Sequence, residues 1–234
     1  MLYLELAKYL KYSAVIFLLI KIVEIMKKNM FLMIILMFVF SFAEAQIVNV
    51  GIKAGPNNSK IIGTDAYELV SESSVPISGI FSFHAGLFAV VKINDKFAIQ
   101  PEVLYSEQGF VYKKNYTFND ETKEKKLDVK MDYINIPIMV KYYPFEQFFL
   151  DFGPQIGFLI DVEQESLSGT SVVKSDVKHE YEDTDTGFNF GLGYEGDKFT
   201  IYGRYTLGLK DIHKTIDADN KNSVIQFGVG YKFL

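Results

Sequence analysis

From Phe148 to Ile160 every second residue is large or apolar. Phe148, Leu150, Phe152, Pro154, Ile156, Phe158 and Ile160 share one face, and Asp151, Gly153, Gln155 and Gly157 stand on the other with Phe149 and Leu159. Successive side chains of a strand point to opposite faces, so a period of two argues for extended backbone and against a helix. The same alternation recurs over 48–55, 81–92, 97–106, 134–143, 187–195, 199–207 and 224–233, with no long helical stripe between them. Eight strands are predicted. Most run about 9–11 residues or more, the length at which a tilted strand crosses a bilayer.

The connections alternate in length. Asn94 to Lys96, Pro144 to Gln147 and Gly196 to Lys198 read as tight turns, whereas Pro56 to Ser78, Lys113 to Lys126, Asp161 to Asp185 and Lys210 to Asn222 read as long loops. Long loops at one end, tight turns at the other and an even strand count are the layout of an up-and-down antiparallel transmembrane β-barrel. Which face points outward then decides the class. A soluble barrel or sandwich puts its apolar face inside. At eight strands the interior is just filled by side chains, and rings of Phe and Ile would overfill it. The apolar face is therefore expected outward, against lipid, with Tyr105, Tyr142, Tyr194, Tyr231 and Phe233 at the interfaces.

The opposite face carries Lys53, Lys92, Glu102, Lys141, Asp151, Glu195, Arg204 and Lys232. Buried charges must be paired or hydrated. A polar network plugging the lumen is expected from Lys53, Glu102, Lys141, Asp151, Glu195 and Arg204, centred on Glu102, Asp151, Lys141 and Arg204. Its role reads as structural, with no catalytic, cofactor or metal residues assigned.

The N-terminus reads as an address. Lys27 and Lys28 precede an apolar run of 13 residues, Met30 to Phe42, and then Ala43-Glu44-Ala45-Gln46. A charged start, a short apolar core and an A-x-A site form a secretory signal peptide, here 26–45 with cleavage between Ala45 and Gln46. Residues 1–25 fit no such pattern and read as an upstream extension before a start at Met26, leaving 46–234 as the barrel domain. The chain has no Cys, which excludes disulfides, thiolate metal sites and a Cys nucleophile. A net charge of -5 speaks against a nucleic-acid partner, which needs a basic face.

Other motifs carry little chemistry. Gly191-Leu192-Gly193-Tyr194-Glu195-Gly196 spells G-x-G-x-x-G, but a strand follows it instead of the helix that would hold a pyrophosphate. The stretch Asp161 to Asp185 sets eight acids against two lysines and reads as a solvated loop, with divalent-cation recruitment as the alternative. His84, His179 and His213 share no metal-ligand spacing, and Asp211 with His213 lacks a partner Ser.

Four segments in order, Gly51-Ile52-Lys53-Ala54-Gly55, Ile99 to Tyr105, Ile136 to Pro144 and Phe152 to Gly157, resemble the PorT-like outer-membrane β-barrel family of Bacteroidota, small barrels of the OmpA/OmpX kind. The resemblance implies an outer-membrane barrel and little about activity. Gly228, Tyr231 and Phe233 resemble the terminal signal read by barrel-assembly machinery, although Leu234 follows Phe233. The implied partners are outer-membrane lipids and that machinery, with an envelope protein as a further partner. The expected function is a non-enzymatic outer-membrane protein whose loops engage a partner or ligand. The alternatives are an accessory part of a secretion or transport assembly, a lipid-modifying enzyme, and a soluble periplasmic binding barrel.

Overall fold

The computed structural model describes residues 48–63, 77–118, 121–168, 171–214 and 220–233. The signal peptide, its cleavage residues Ala43, Ala45 and Gln46, and the extension 1–25 lie outside them. The strands are β1 (Val48–Ile62), β2 (Ile77–Lys92), β3 (Phe97–Phe118), β4 (Glu121–Tyr142), β5 (Phe148–Ser168), β6 (Ser171–Asp176), β7 (Thr184–Glu195), β8 (Phe199–Gly208) and β9 (Lys221–Lys232). A 3-10 turn covers Lys178–Glu180. Every pairing is antiparallel. β1 pairs with both β2 and β9, and β4 pairs with β5, so eight strands close into a ring and β6 is appended to β5. Closure removes sheet edges within the ring.

The faces divide as the alternation predicts. Phe81 is 76% exposed and Phe227 61%, whereas Glu102 is 2% exposed. In water this arrangement would be inverted. An apolar band this extensive needs a lipid solvent. Aromatic pairs mark its short-turn rim: Phe97 lies 5.2 Å from Tyr142, and Tyr231 lies 5.2 Å from Phe199 and 5.7 Å from Phe233.

Two expectations are corrected. The segments Lys113 to Lys126 and Asp161 to Asp185 are largely strand. β3 and β4 stay paired from Lys113↔Lys126 to Phe118↔Glu121, and β5 continues to Ser168 before returning as β6. Beyond the lipid both faces of a strand can be polar, so the alternation vanishes while the backbone ladder goes on. The interior is also less polar than expected. Phe88, Leu104, Met139, Tyr143, Phe149 and Tyr202 are buried in it. Glycines on neighbouring strands make room: a Cβ at Gly51 would overlap the Phe88 ring, one at Gly193 the Phe149 ring, and one at Gly228 the Tyr202 ring. Large and small residues interlock across the wall, which is how a narrow interior reaches packing density.

Candidate functional site

The interior buries Lys53, Glu102, Lys141, Asp151, Glu195, Arg204 and Lys232, and the strands set them in layers. At mid-height Arg204 on β8 forks onto Glu102 on β3, Nη1 to Oε2 at 2.9 Å and Nη2 to Oε1 at 2.9 Å. The same Nη2 donates to Asp151 Oδ2 at 2.9 Å. Lys53 Nζ donates to Glu102 Oε1 at 3.1 Å, and Gln100 Nε2 adds a bond to that oxygen at 2.6 Å. Gly191 on β7 stands between Asp151 and Arg204 in the register, and a Cβ there would overlap Asp151 Oδ1. The glycine lets a carboxylate and a guanidinium meet across a whole strand.

Nearer the short turns, Glu195 collects Lys141 at 2.5 Å, Lys232 at 3.1 Å and the Tyr143 hydroxyl at 2.9 Å. The Lys141 ammonium also lies 3.8 Å from the centre of the Phe149 ring, and Lys53 sits 3.8 Å from that of Tyr202, both cation–π distances. The six expected residues thus form two groups. Lys141 bonds Glu195 and not the Glu102–Asp151–Arg204 group, where Lys53 takes its place. Lys92 stands apart, 5.9 Å from the Tyr143 ring.

Above the charges lies a neutral layer that pattern reading did not single out. His84 Nδ1 is 2.6 Å from Asn57 Oδ1, and its Nε2 bonds the Tyr202 hydroxyl. Asn57 Nδ2 donates to Ser106 Oγ at 3.1 Å, and Gln226 Nε2 to Asn57 Oδ1 at 3.2 Å. Inward-facing Asn57, Ser106 and Gln226 were the available signal, since polar side chains at lumen parity must find one another. Higher still, Asn222 Nδ2 donates to Asp185 Oδ2 at 2.8 Å. Towards the long-loop end lies an apolar cluster that includes Phe110, Met131, Tyr133, Val162, Val177 and Ile212.

Outside the band, the acidic stretch is paired with lysines. Lys174 reaches Glu163 at 2.8 Å and Glu165 at 2.5 Å, Lys210 reaches Glu182 at 2.7 Å, and Lys214 reaches Asp183 at 3.5 Å. Hydrogen bonds that the Lys174 ammonium donates to Glu163 and Glu165 hold its pKa above the ordinary lysine range, and the same donation holds Glu165 below the usual carboxylate range. Asp211 accepts the Asn220 backbone N–H, and the His213 ring meets Tyr181 edge-on at 5.0 Å between centres. Burial lowers the His213 pKa. Both are engaged in holding the β8–β9 connection. Gly191 and Gly193 lie inside β7 with β8 following, which removes the phosphate-loop reading. Gly228 and Tyr231 lie in β9, which joins β8 to β1 and completes the ring, and Phe233 follows it with its N–H bonded to the Val50 carbonyl.

A family model described as "Outer membrane protein beta-barrel domain" matches residues 42–214. Among solved structures the chain is similar to the Neisserial surface protein A, at 14% identity over 79% of this chain and 97% of that one with a TM-score of 0.44. It is similar to Ail, the attachment invasion locus protein of Yersinia pestis, at 13% identity over 79% and 98% with a TM-score of 0.39. The outer membrane protein OprG from Pseudomonas aeruginosa gives 12% identity over 80% and 97% with a TM-score of 0.40. No curated protein matches in sequence.

Proposed function

The chain belongs to the outer membrane protein beta-barrel domain family, and from that premise we propose that it is a non-enzymatic anchor that offers a strand edge to a partner outside the membrane. The observation that carries this reading is the one-sided pairing of β6. Among the described residues β6 pairs with β5 alone, at the end of the sheet order. Its Val172 and Val173 are 55% and 59% exposed. A free edge displays unpaired N–H and C=O groups, and an extended segment of another chain can complete the ladder there. The buried charge groups serve this role by making the barrel a rigid, non-conducting support. Export by cleavage after Ala45 belongs to the same reading, as does the finer affinity with the PorT-like group, which rests on the four segments from Gly51 to Gly157.

The test is site-specific photocrosslinking in whole cells. Successive residues of a strand aim their N–H groups at alternate neighbours, so one of Val172 and Val173 faces the open edge. A photoreactive side chain at each position should give a discrete protein adduct, lost when the adjacent residue is changed to Pro. The same probe at Phe199, on the short-turn rim, should not give that adduct. Equal labelling at all three sites, or none at β6, refutes the reading.

A further inference from the structure

Some buried polar atoms of the lumen are not satisfied by another side chain. Gln100 Oε1, Asp151 Oδ1 and Thr200 Oγ1 have no protein partner, although their residues are only 4%, 4% and 6% exposed. All three residues line one cavity of about 10 Å³, with Lys53 and Gly230 also on its wall. That volume is about the space one water molecule needs. A carboxylate oxygen and an amide oxygen can only accept hydrogen bonds, while a hydroxyl can donate or accept.

We propose that this cavity is a binding site for one resident water molecule, which donates to Asp151 Oδ1 and Gln100 Oε1 and accepts from the Thr200 hydroxyl. Three polar partners are the usual complement of a buried water. The sequence builds the space with a glycine. Gly230 lies opposite both Thr200 and Lys53 in the ladders, and a Cβ there would press on the Phe88 ring. The choice of ligand follows from size and charge. Nothing larger fits. A small monovalent cation would also suit oxygen ligands, but the interior already buries Lys53, Lys141, Arg204 and Lys232 against Glu102, Asp151 and Glu195. A further positive charge would deepen that imbalance, and an anion would face the free Asp151 oxygen. A neutral double donor satisfies the site without changing its charge. The water ties β5 to β3 and β8, so Asp151 is held by Arg204 through Oδ2 and by the wall through Oδ1. This assignment is independent of what β6 binds.

The experiment is a crystal structure of the barrel purified as it occurs in outer membranes, at a resolution that resolves ordered water, with choline as the only added cation. The expected result is a single density peak within hydrogen-bond reach of Asp151 Oδ1, Gln100 Oε1 and Thr200 Oγ1. A peak that appears only when sodium is supplied identifies a cation site and overturns the proposal. An ordered lumen with no peak overturns it as well. In Thr200→Val the peak should be lost while the heat-dependent gel shift of the barrel is retained. A peak that persists in this variant refutes the assigned partners. Should that variant not assemble, magnetisation transfer from long-lived water to the Thr200 amide in the micelle-bound wild type decides the matter, since its absence refutes the site.

Discussion

Replacing Glu102 by Gln should be among the most damaging conservative changes available to this chain. Glu102 receives both ends of the Arg204 fork and the Lys53 ammonium, and its side chain has no exposed surface. Glu102→Gln keeps the volume but removes the charge, and it turns an N–H group towards at least one cation. Arg204 retains Asp151, whereas Glu102 is the one carboxylate that Lys53 bonds among the described residues. Removing one member of a buried ion pair leaves an uncompensated charge and costs about 3–5 kcal/mol. Lys53→Met should behave differently. It deletes a cation from an interior with four against three carboxylates, and Met fills similar volume beside Tyr202. Its cost should stay below about 1.5 kcal/mol. The double variant should then be less destabilised than the sum of the single changes by about 0.5–3 kcal/mol, the coupling range of residues in direct contact. The assay is reversible urea unfolding of the barrel in lipid vesicles, followed by circular dichroism because the chain has no Trp. A Glu102→Gln variant within 1 kcal/mol of wild type, or strict additivity in the cycle, would falsify the claim that Lys53 and Arg204 depend on one carboxylate, as that limit lies well under the about 3–5 kcal/mol expected.

Gly109 has a φ of 139°, and a Cβ there would overlap the Val129 carbonyl. Gly109→Ala should therefore lose about 2 kcal/mol or more in the same assay, whereas Gly196→Ala, whose nearest neighbour would be 3.5 Å away, should be near neutral. Phe227→Arg places a charge on the lipid face and should cost about 2–4 kcal/mol in vesicles if Phe227 lies near the midplane. A negligible effect would mean that Phe227 does not meet lipid. The Lys174–Glu165 contact should respond to pH at both extremes. The Glu165 pKa is lowered in the fold, so its contribution is present above the ordinary carboxylate pKa and is lost as pH falls through the depressed value. The Lys174 pKa is raised, so its contribution is present below the ordinary lysine pKa and is lost as pH rises through the raised value. Amide exchange in β6, corrected for intrinsic rates, should quicken at low pH in wild type but not in Glu165→Gln. Finally, protein recovered from outer membranes should begin at Gln46 on N-terminal sequencing and migrate differently when boiled. A sequence starting at Met1 would refute the signal-peptide assignment.

The ring strands were legible because lipid on one side and a filled interior on the other force a strict period of two. Phe81, Phe227 and Ile201 could be assigned outward from that pattern alone. The same logic failed above the membrane. From Lys113 to Lys126 no apolar alternation survives, because a strand that runs on beyond the lipid needs only its backbone ladder, which continues there, and no hydrophobic record. It also failed to find β6, whose residues Ser171–Asp176 carry two adjacent valines and no alternation. Within the lumen, the parity of Lys53, Glu102, Lys141, Asp151, Glu195 and Arg204 was readable, but their partners were not. Parity says which way a side chain points. It does not say how far around the barrel it reaches, or at what height relative to a residue four strands away.

The sequence by itself determined the strand class, the inward and outward faces, and the membrane as solvent, because each follows from local periodicity and transfer energies. Only the tertiary structure decided which charges meet. Closure through β1 and β9 fixes the stagger of the strands, and that stagger brings Arg204 level with Glu102, which is 102 residues away in the chain. It sends Lys141 to Glu195 instead. Register around a closed ring is a global property, set by every strand pairing at once, and no local window of residues contains it.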